Sequence, residues 1–362
     1  MPRVMLLCTD LHRGGLPLRL ARLAPWLSRL GFQPVVGCLA PPGPLSEEFA
    51  TAGIETFACD AHGRFDLTCL SRLAGHIRRL DPDVIHASLF HANLAARLVG
   101  RLDRTRPIIT STVTVEIERP THRWLETLTI GLSDVHVANS QAVARHLIDE
   151  LGFPGEKVRV ISNAIDLHAV AQAAVLNRDR EGIPPNAKLV VWAGRMDPIK
   201  RLDDLLYVFQ KVRRRVDARL VLLGDGPERR RIEQQIRRLH LESDVRIAGW
   251  RQDVLSWFKA ADAFLFTSRT EGSPNAVLEA TACHCPIVAT EIPAIREIVD
   301  ATQWGSLAPP GDIERLAALL ENTLQSGRKD QPPNSALLAH HDPAAVAQEW
   351  GRLYEEVASR FP

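Results

Sequence analysis

The chain has 362 residues, 45% of them hydrophobic, with 44 lysines and arginines against 43 aspartates and glutamates. That length predicts two domains with full-sized cores, and the even charge balance gives no global case for a nucleic acid or an acidic partner. The six cysteines lack the spacing of a disulfide framework and point to a reducing compartment, so the cytoplasm is expected. The opening residues 1–8 are too short an apolar run for a signal peptide, and no later stretch reaches the roughly 18 apolar residues of a spanning helix. Any membrane contact is therefore expected to be peripheral.

In chain order, short apolar runs at 4–8, 34–38, 54–58, 84–87, 108–112, 135–138 and 158–161 predict strands, with amphipathic helices such as 16–30 and 70–80 between them. The second half repeats the alternation, with strands at 189–193, 218–223, 245–247, 263–266, 286–289 and 306–308 and helices near 202–215, 227–240, 274–283 and 312–325. Alternating strands and helices predict two α/β domains built on parallel, Rossmann-like sheets. The polar stretch 178–186 predicts a linker between them. A final amphipathic helix is expected from about 343 onward.

In such sheets ligands bind beyond the carboxyl ends of the strands. The stretch Thr270-Glu271-Gly272-Ser273-Pro274-Asn275-Ala276-Val277-Leu278-Glu279-Ala280 follows the strand at 263–266 and opens a helix. Gly272 there admits close backbone approach, and the amides of Asn275, Ala276 and Val277 would form an anion site. Glu271 and Glu279 are two carboxylates able to hold hydroxyl groups, so the whole suits a sugar attached to a phosphate. A helix capped by a polar turn is the plainer alternative. After the strand at 189–193, Gly194 and Arg195 begin a loop that ends with Lys200, and two cations ahead of a helix can neutralise a diphosphate leaving group.

Three further strand ends are candidates. Gly14 and Gly15 follow the first strand. Gly224, in Leu223-Gly224-Asp225-Gly226, and Trp250 follow two strands of the second half, where a loop could hold a nucleotide base. His86 and His91 lie where the fourth strand passes into a helix, and either could meet an acceptor hydroxyl or a donor phosphate; core histidines are the alternative. Arg19, Arg22 and Arg29 with Arg72, Arg78 and Arg79 could touch anionic lipid or simply line solvated helix faces. Cys283-His284-Cys285 invites a zinc reading, but adjacent ligands cannot close a tetrahedral site. Asp81-Pro82-Asp83 sits at the helix end of a strand and reads as a turn.

Taken together, Gly14-Gly15, Asp83-Val84-Ile85-His86, Ser162-Asn163-Ala164-Ile165-Asp166, Gly194-Arg195 with Lys200, Leu223-Gly224-Asp225-Gly226 and the Glu271–Glu279 stretch resemble the GT-B glycosyltransferases of family 4, the retaining group 1 type. The resemblance covers nearly the whole chain. It implies two facing Rossmann-like domains, 1–170 for the acceptor and 171–342 for the nucleotide sugar, with the helix 343–362 crossing back to the first. It further implies that Arg195 and Lys200 grip the donor diphosphate, Glu271 contacts the transferred sugar and Glu279 the ribose. No cofactor or metal is expected, and the acceptor is a sugar, a lipid-linked or a small molecule, in polysaccharide or glycoconjugate synthesis.

Two departures stand out. Where many relatives carry a cleft histidine after the fifth strand, this chain has Ser111-Thr112-Val113-Thr114-Val115-Glu116-Ile117-Glu118, leaving Glu116 and His91 as acceptor-side candidates. His284 stands where glycine is usual and would need a left-handed backbone. A nucleotide-sugar epimerase of the same architecture and a non-catalytic nucleotide-sugar-binding scaffold are the alternative functions.

Overall fold

The computed structural model describes residues 1–12, 14–63, 66–101, 106–114, 120–327 and 332–361. These form two compact units, Met1–Ala164 with His340–Pro362, and Ile165–Ala339. In the first, β1 (Arg3–Cys8), β2 (Gln33–Cys38), β3 (Glu55–Ala58), β4 (Val84–Ser88), β5 (Ile108–Thr112), β6 (Val135–Ala138) and β7 (Val158–Val160) make a parallel sheet in the order β3-β2-β1-β4-β5-β6-β7. In the second, β8 (Lys188–Ala193), β9 (Ala218–Leu223), β10 (Val245–Gly249), β11 (Ala263–Phe266), β12 (Ile287–Thr290) and β13 (Ser306–Ala308) run parallel in the order β10-β9-β8-β11-β12-β13.

Each predicted strand is present because a parallel strand covered by helices on both faces must be apolar along its whole length. The four residues of β11 show this, since none is more than 1% exposed. Strand order reverses beside β1 in one sheet and beside β8 in the other. At such a reversal the flanking helices depart to opposite faces and leave a crevice at the carboxyl ends. The loops after β8 and β11 therefore share the crevice of the second unit. No helix among the described residues is long and apolar enough to cross a membrane.

Residues 178–186, expected to be a linker, are folded into the second unit. Arg178 donates to Asp262 Oδ2 at 2.8 Å and to the Ala260 carbonyl. Glu181 accepts from Arg246 and Arg251, and Ile183 is buried. Charge composition suggested a solvated tether, but these charges are spent on one another and on the ends of β8 and β11. The chain leaves the first unit at Ala164 instead.

The last helix, Pro343–Ala358, begins at Asp342, whose Oδ1 accepts from Ala344 N at 2.9 Å, with proline at the first helical position. Its stripe of Val346, Ala347, Trp350, Leu353, Tyr354 and Val357 joins the core of the first unit beside Leu20, Leu23 and Leu27 of the first helix, Gly15–Arg29. His86 of β4 lies under this stripe. Its ring stacks on Trp350 at 4.3 Å, Nδ1 is 2.8 Å from the Tyr354 hydroxyl and Nε2 is 2.6 Å from Ser111 Oγ. Only 1% exposed, and with burial pushing its pKa down to about 3, it is a neutral core histidine and not an acceptor-side group.

A second buried polar group braces the opposite side of the same sheet. Arg97, on the helix Phe90–Gly100, is fully enclosed; it pairs with Glu126 of the helix Pro120–Thr129 and donates to Ser133 Oγ at 2.8 Å. Of the arginines considered for lipid contact, Arg19 donates to Asn163 Oδ1 and Arg72 to Asp66 and the Cys59 carbonyl, so both are engaged within the unit. Asp81 ends its helix in a left-handed turn paired with Arg106, as a turn rather than a ligand set.

Burying five large side chains of the last helix stabilises the first unit by about 8–15 kcal/mol as an upper bound, comparable with the whole stability of a domain. Removal of residues 343–362 is therefore expected to abolish the first unit's cooperative melting transition, read by calorimetry. A truncated protein that keeps the full-length transition temperature would contradict this packing.

Candidate active site

The second unit's crevice is built by backbone contacts between loops. Gly194, at the end of β8, donates its N–H to Leu223 O at 3.0 Å; Met196 donates to Asp225 O at 2.9 Å and accepts from Glu228 N at 3.0 Å; Gly224 donates to Gly249 O at 2.7 Å. A Cβ on Gly224 would lie 1.8 Å from the Gly194 carbonyl oxygen, and one on Gly226 would lie 2.6 Å from the Met196 backbone. These two glycines are thus required by loop packing, and their presence says nothing about a ligand.

The loop after β8 is then fastened to the loop after β11. Thr267 Oγ1 donates to the carbonyls of Lys200 and Arg201 at 3.0 and 3.1 Å, and Arg269 N–H donates to Ile199 O at 2.9 Å. Thr290 Oγ1 in turn donates to Ser268 O at 2.6 Å, tying in β12. Held this way, Lys200 Nζ meets Glu271 Oε1 at 2.5 Å and lies 5.4 Å from the centre of the Phe266 ring. Both side chains are mostly covered, at 17% and 14% exposure. The sequence placed both residues at the site but gave no sign that they pair with each other. Arg195 is different: its side chain is 72% exposed, and its contact with Asp197 at 3.2 Å is a surface pair of little energetic weight.

Past Glu271 the chain turns through buried Gly272 and partly covered Ser273 into the helix Asn275–Ala282. Val277 does not belong to the anion site expected of this helix. Its N–H donates to Pro274 O at 3.0 Å, and its side chain is in the core, because the extended Pro274 offers its carbonyl to the first turn. The amides at the head of the helix are those of Asn275 and Ala276. Glu279, one turn further on, is partly exposed, as are Asn275 and Ala276. His284 adopts the left-handed conformation at φ 56° that glycine would take there. Trp250, after β10, has 59% of its surface exposed.

In the first unit, a Cβ on Gly14 would meet nothing closer than 3.9 Å and one on Gly15 nothing within 4 Å, so folding does not demand glycine at either position. His91 is exposed at the head of its helix, edge-on to Phe90 and His122, whose own rings stack at 3.9 Å. The residue before that helix, Leu89, has φ 74° and ψ 156°, a conformation costly for a side chain of this kind. Asn93 fixes the turn by donating to Ser111 O at 3.0 Å. Neither the Phe90–His122 stack nor the strain at Leu89 has a signature in the sequence. Glu116 lies outside the described residues.

Comparison with known proteins follows this geometry. Residues 13–169 match the Glycosyltransferase Family 4 model and residues 187–326 the Glycosyl transferases group 1 model. Among curated relatives, N-acetyl-alpha-D-glucosaminyl L-malate synthase of Bacillus anthracis is 28% identical over 260 residues, covering 70% of this chain and 68% of that protein. The N-acetylgalactosamine-N,N'-diacetylbacillosaminyl-diphospho-undecaprenol 4-alpha-N-acetylgalactosaminyltransferase of Campylobacter jejuni is 27% identical, covering 65% and 64%. The chain thus spans about two thirds of the length of these relatives. Among solved structures, HepE from Anabaena, in complex with UDP and glucose, superposes with a TM-score of 0.75 at 21% identity over 99% of this chain and 98% of that one. Sucrose-phosphate synthase from Thermosynechococcus elongatus gives 0.82 at 18% identity over 99% and 100%. Two family matches on successive parts of the chain, over a fold shared end to end with these structures, make it a member of the group 1, family 4 glycosyltransferases with GT-B architecture.

Proposed function

We propose that the protein transfers a sugar, with retention of anomeric configuration and without a metal ion, from a nucleoside-diphosphate sugar to an acceptor hydroxyl. The observation that carries this is the Lys200–Glu271 pair in the crevice beside β8, with Arg195 exposed at its edge. Lys200 and Arg195 would hold the donor diphosphate and take up the charge that grows on it as the glycosidic bond breaks. Their cationic charge does the work that a divalent ion does elsewhere. Glu271 would face the sugar, Glu279 the ribose, and the Asn275 and Ala276 amides an oxyanion. Trp250 offers an open ring on which a base can stack.

The step itself balances without a protein base. The bond from the anomeric carbon to the phosphate oxygen breaks, the acceptor oxygen bonds to the same face of that carbon, and the departing phosphate oxygen takes the acceptor proton. Both curated relatives named above carry an alpha linkage in their names, the outcome expected when an α-linked nucleotide sugar reacts with retention. HepE was solved with UDP and one relative is named for a diphospho-undecaprenol substrate, so UDP-sugars with sugar or lipid-linked acceptors are the first combinations to assay. On the same reading Gly14 and Gly15 leave room for a ligand, and His91 is the acceptor-side group.

Turnover with a UDP-, GDP- or ADP-sugar is expected to persist in EDTA, and proton NMR of the product should show the donor's anomeric configuration. Loss of activity in EDTA with rescue by Mg²⁺, or an inverted product, would contradict the proposal. Conversion of the donor in the absence of any acceptor would identify an epimerase instead.

The two carboxylates are expected to differ. A carboxylate beside positive charge developing on the sugar binds the transition state more tightly than the ground state. Glu271→Gln should therefore lower kcat by roughly 10²–10³-fold, and because it releases Lys200 from its partner, it should not raise the donor KM. Glu279→Gln removes a hydrogen bond to a ribose that changes little during reaction, so it should mainly raise the donor KM. Steady-state kinetics showing the reverse pattern would overturn these roles.

A further inference from the structure

A buried cation in the first unit stands apart from the residues assigned to the donor. Arg19 is a half-buried residue whose guanidinium end is enclosed, and burial pulls its pKa down to about 10. Its Nη1 donates to Asn163 Oδ1 at 2.9 Å. The other polar groups within reach of its charge are the Tyr354 phenol, which burial holds in its neutral form, and neutral His86. Among the described residues no carboxylate pairs with it. A guanidinium taken out of water costs several kcal/mol unless an opposite charge or a full set of acceptors replaces its hydration.

The enclosed end of Arg19 opens on a pocket that Arg22, Ser162 and Trp350 also line, with Leu23 and Val346 as apolar walls. Its enclosed part has about 10 Å³ of room within about 280 Å³ of empty space that opens to solvent. That room admits about one water-sized group, which excludes a sugar or a base and suits the head of a small anion. Two guanidinium forks and a hydroxyl are the donors that planar or tetrahedral oxyanions take. We propose that this pocket, between the first and last helices of the first unit, binds a small oxyanion, a phosphate or a carboxylate group, held by Arg19 and Arg22 with the Ser162 hydroxyl.

Thermal melting of the full chain, titrated separately with inorganic phosphate and with succinate at constant ionic strength, tests this, the salt control being needed because screening alone moves melting points. The wild type and Lys200→Ala, whose donor-site cation is gone, should both show a saturable rise with at least one of the two anions. Arg19→Gln should weaken that response by at least about tenfold, the scale of one charge-assisted contact. A wild type without a saturable response to either anion, an unchanged response in Arg19→Gln, or a response that disappears in Lys200→Ala overturns the proposal. If Arg19→Gln does not fold, Ser162→Ala decides: a response weakened several-fold supports the site, and a wild-type response refutes it.

Discussion

Beside β8, two parallel strands send their loops into one crevice, and a lysine and a glutamate from those loops meet there at 2.5 Å. The pair is mostly covered, so its attraction is stronger than at an open surface, while the desolvation of both groups offsets much of that gain. Its value lies in position more than in net stability. Thr267, Arg269 and Thr290 fix the loops through the backbone, so Lys200 and Glu271 are set in place before any ligand arrives. A diphosphate entering the crevice would offer Lys200 a more highly charged partner and leave Glu271 facing the sugar. Preorganised charge of this kind is the largest single contribution in many enzymes, because nothing has to reorient when charge develops.

The first unit uses polar groups differently. Beneath the last helix, His86, Tyr354 and Ser111 form a neutral hydrogen-bonded cluster, and Trp350 covers it. A neutral network can be sealed in the core at small cost provided every member is satisfied. Below the helix Phe90–Gly100, the Arg97–Glu126 pair does the same for two charges by compensating them within the fold. Arg19 departs from both patterns, since it brings a charge to the first cluster without a carboxylate to answer it.

Much of this was legible in the sequence, for identifiable reasons. Parallel strands buried on both faces leave continuous apolar runs, so Ile108–Thr112, Ala218–Leu223 and Ala263–Phe266 appear with the bounds the sequence predicts. The loops carrying Arg195, Lys200, Glu271 and Glu279 were also legible, because chemistry at strand ends leaves local motifs. What the sequence could not carry was the company each residue keeps. His86 reads as a cleft histidine until the last helix, more than 250 positions away, is seen covering it. Val277 reads as an open amide until Pro274 turns its carbonyl inward, and 178–186 reads as a tether until Arg178 reaches Asp262. Gly224 reads as a ligand contact, whereas the Gly194 carbonyl already explains it. Each difference is a contact between positions distant in the chain or a backbone angle that no residue type dictates.

The central claim is that Lys200 and Glu271 act as one preorganised unit across the loops of β8 and β11. A double-mutant cycle tests it most directly: Lys200→Met, Glu271→Gln and the double variant, each measured by chemical denaturation without ligand. The account predicts a coupling energy of about 0.5–3 kcal/mol, the range for residues in direct contact. Strict additivity of the two substitutions would contradict it.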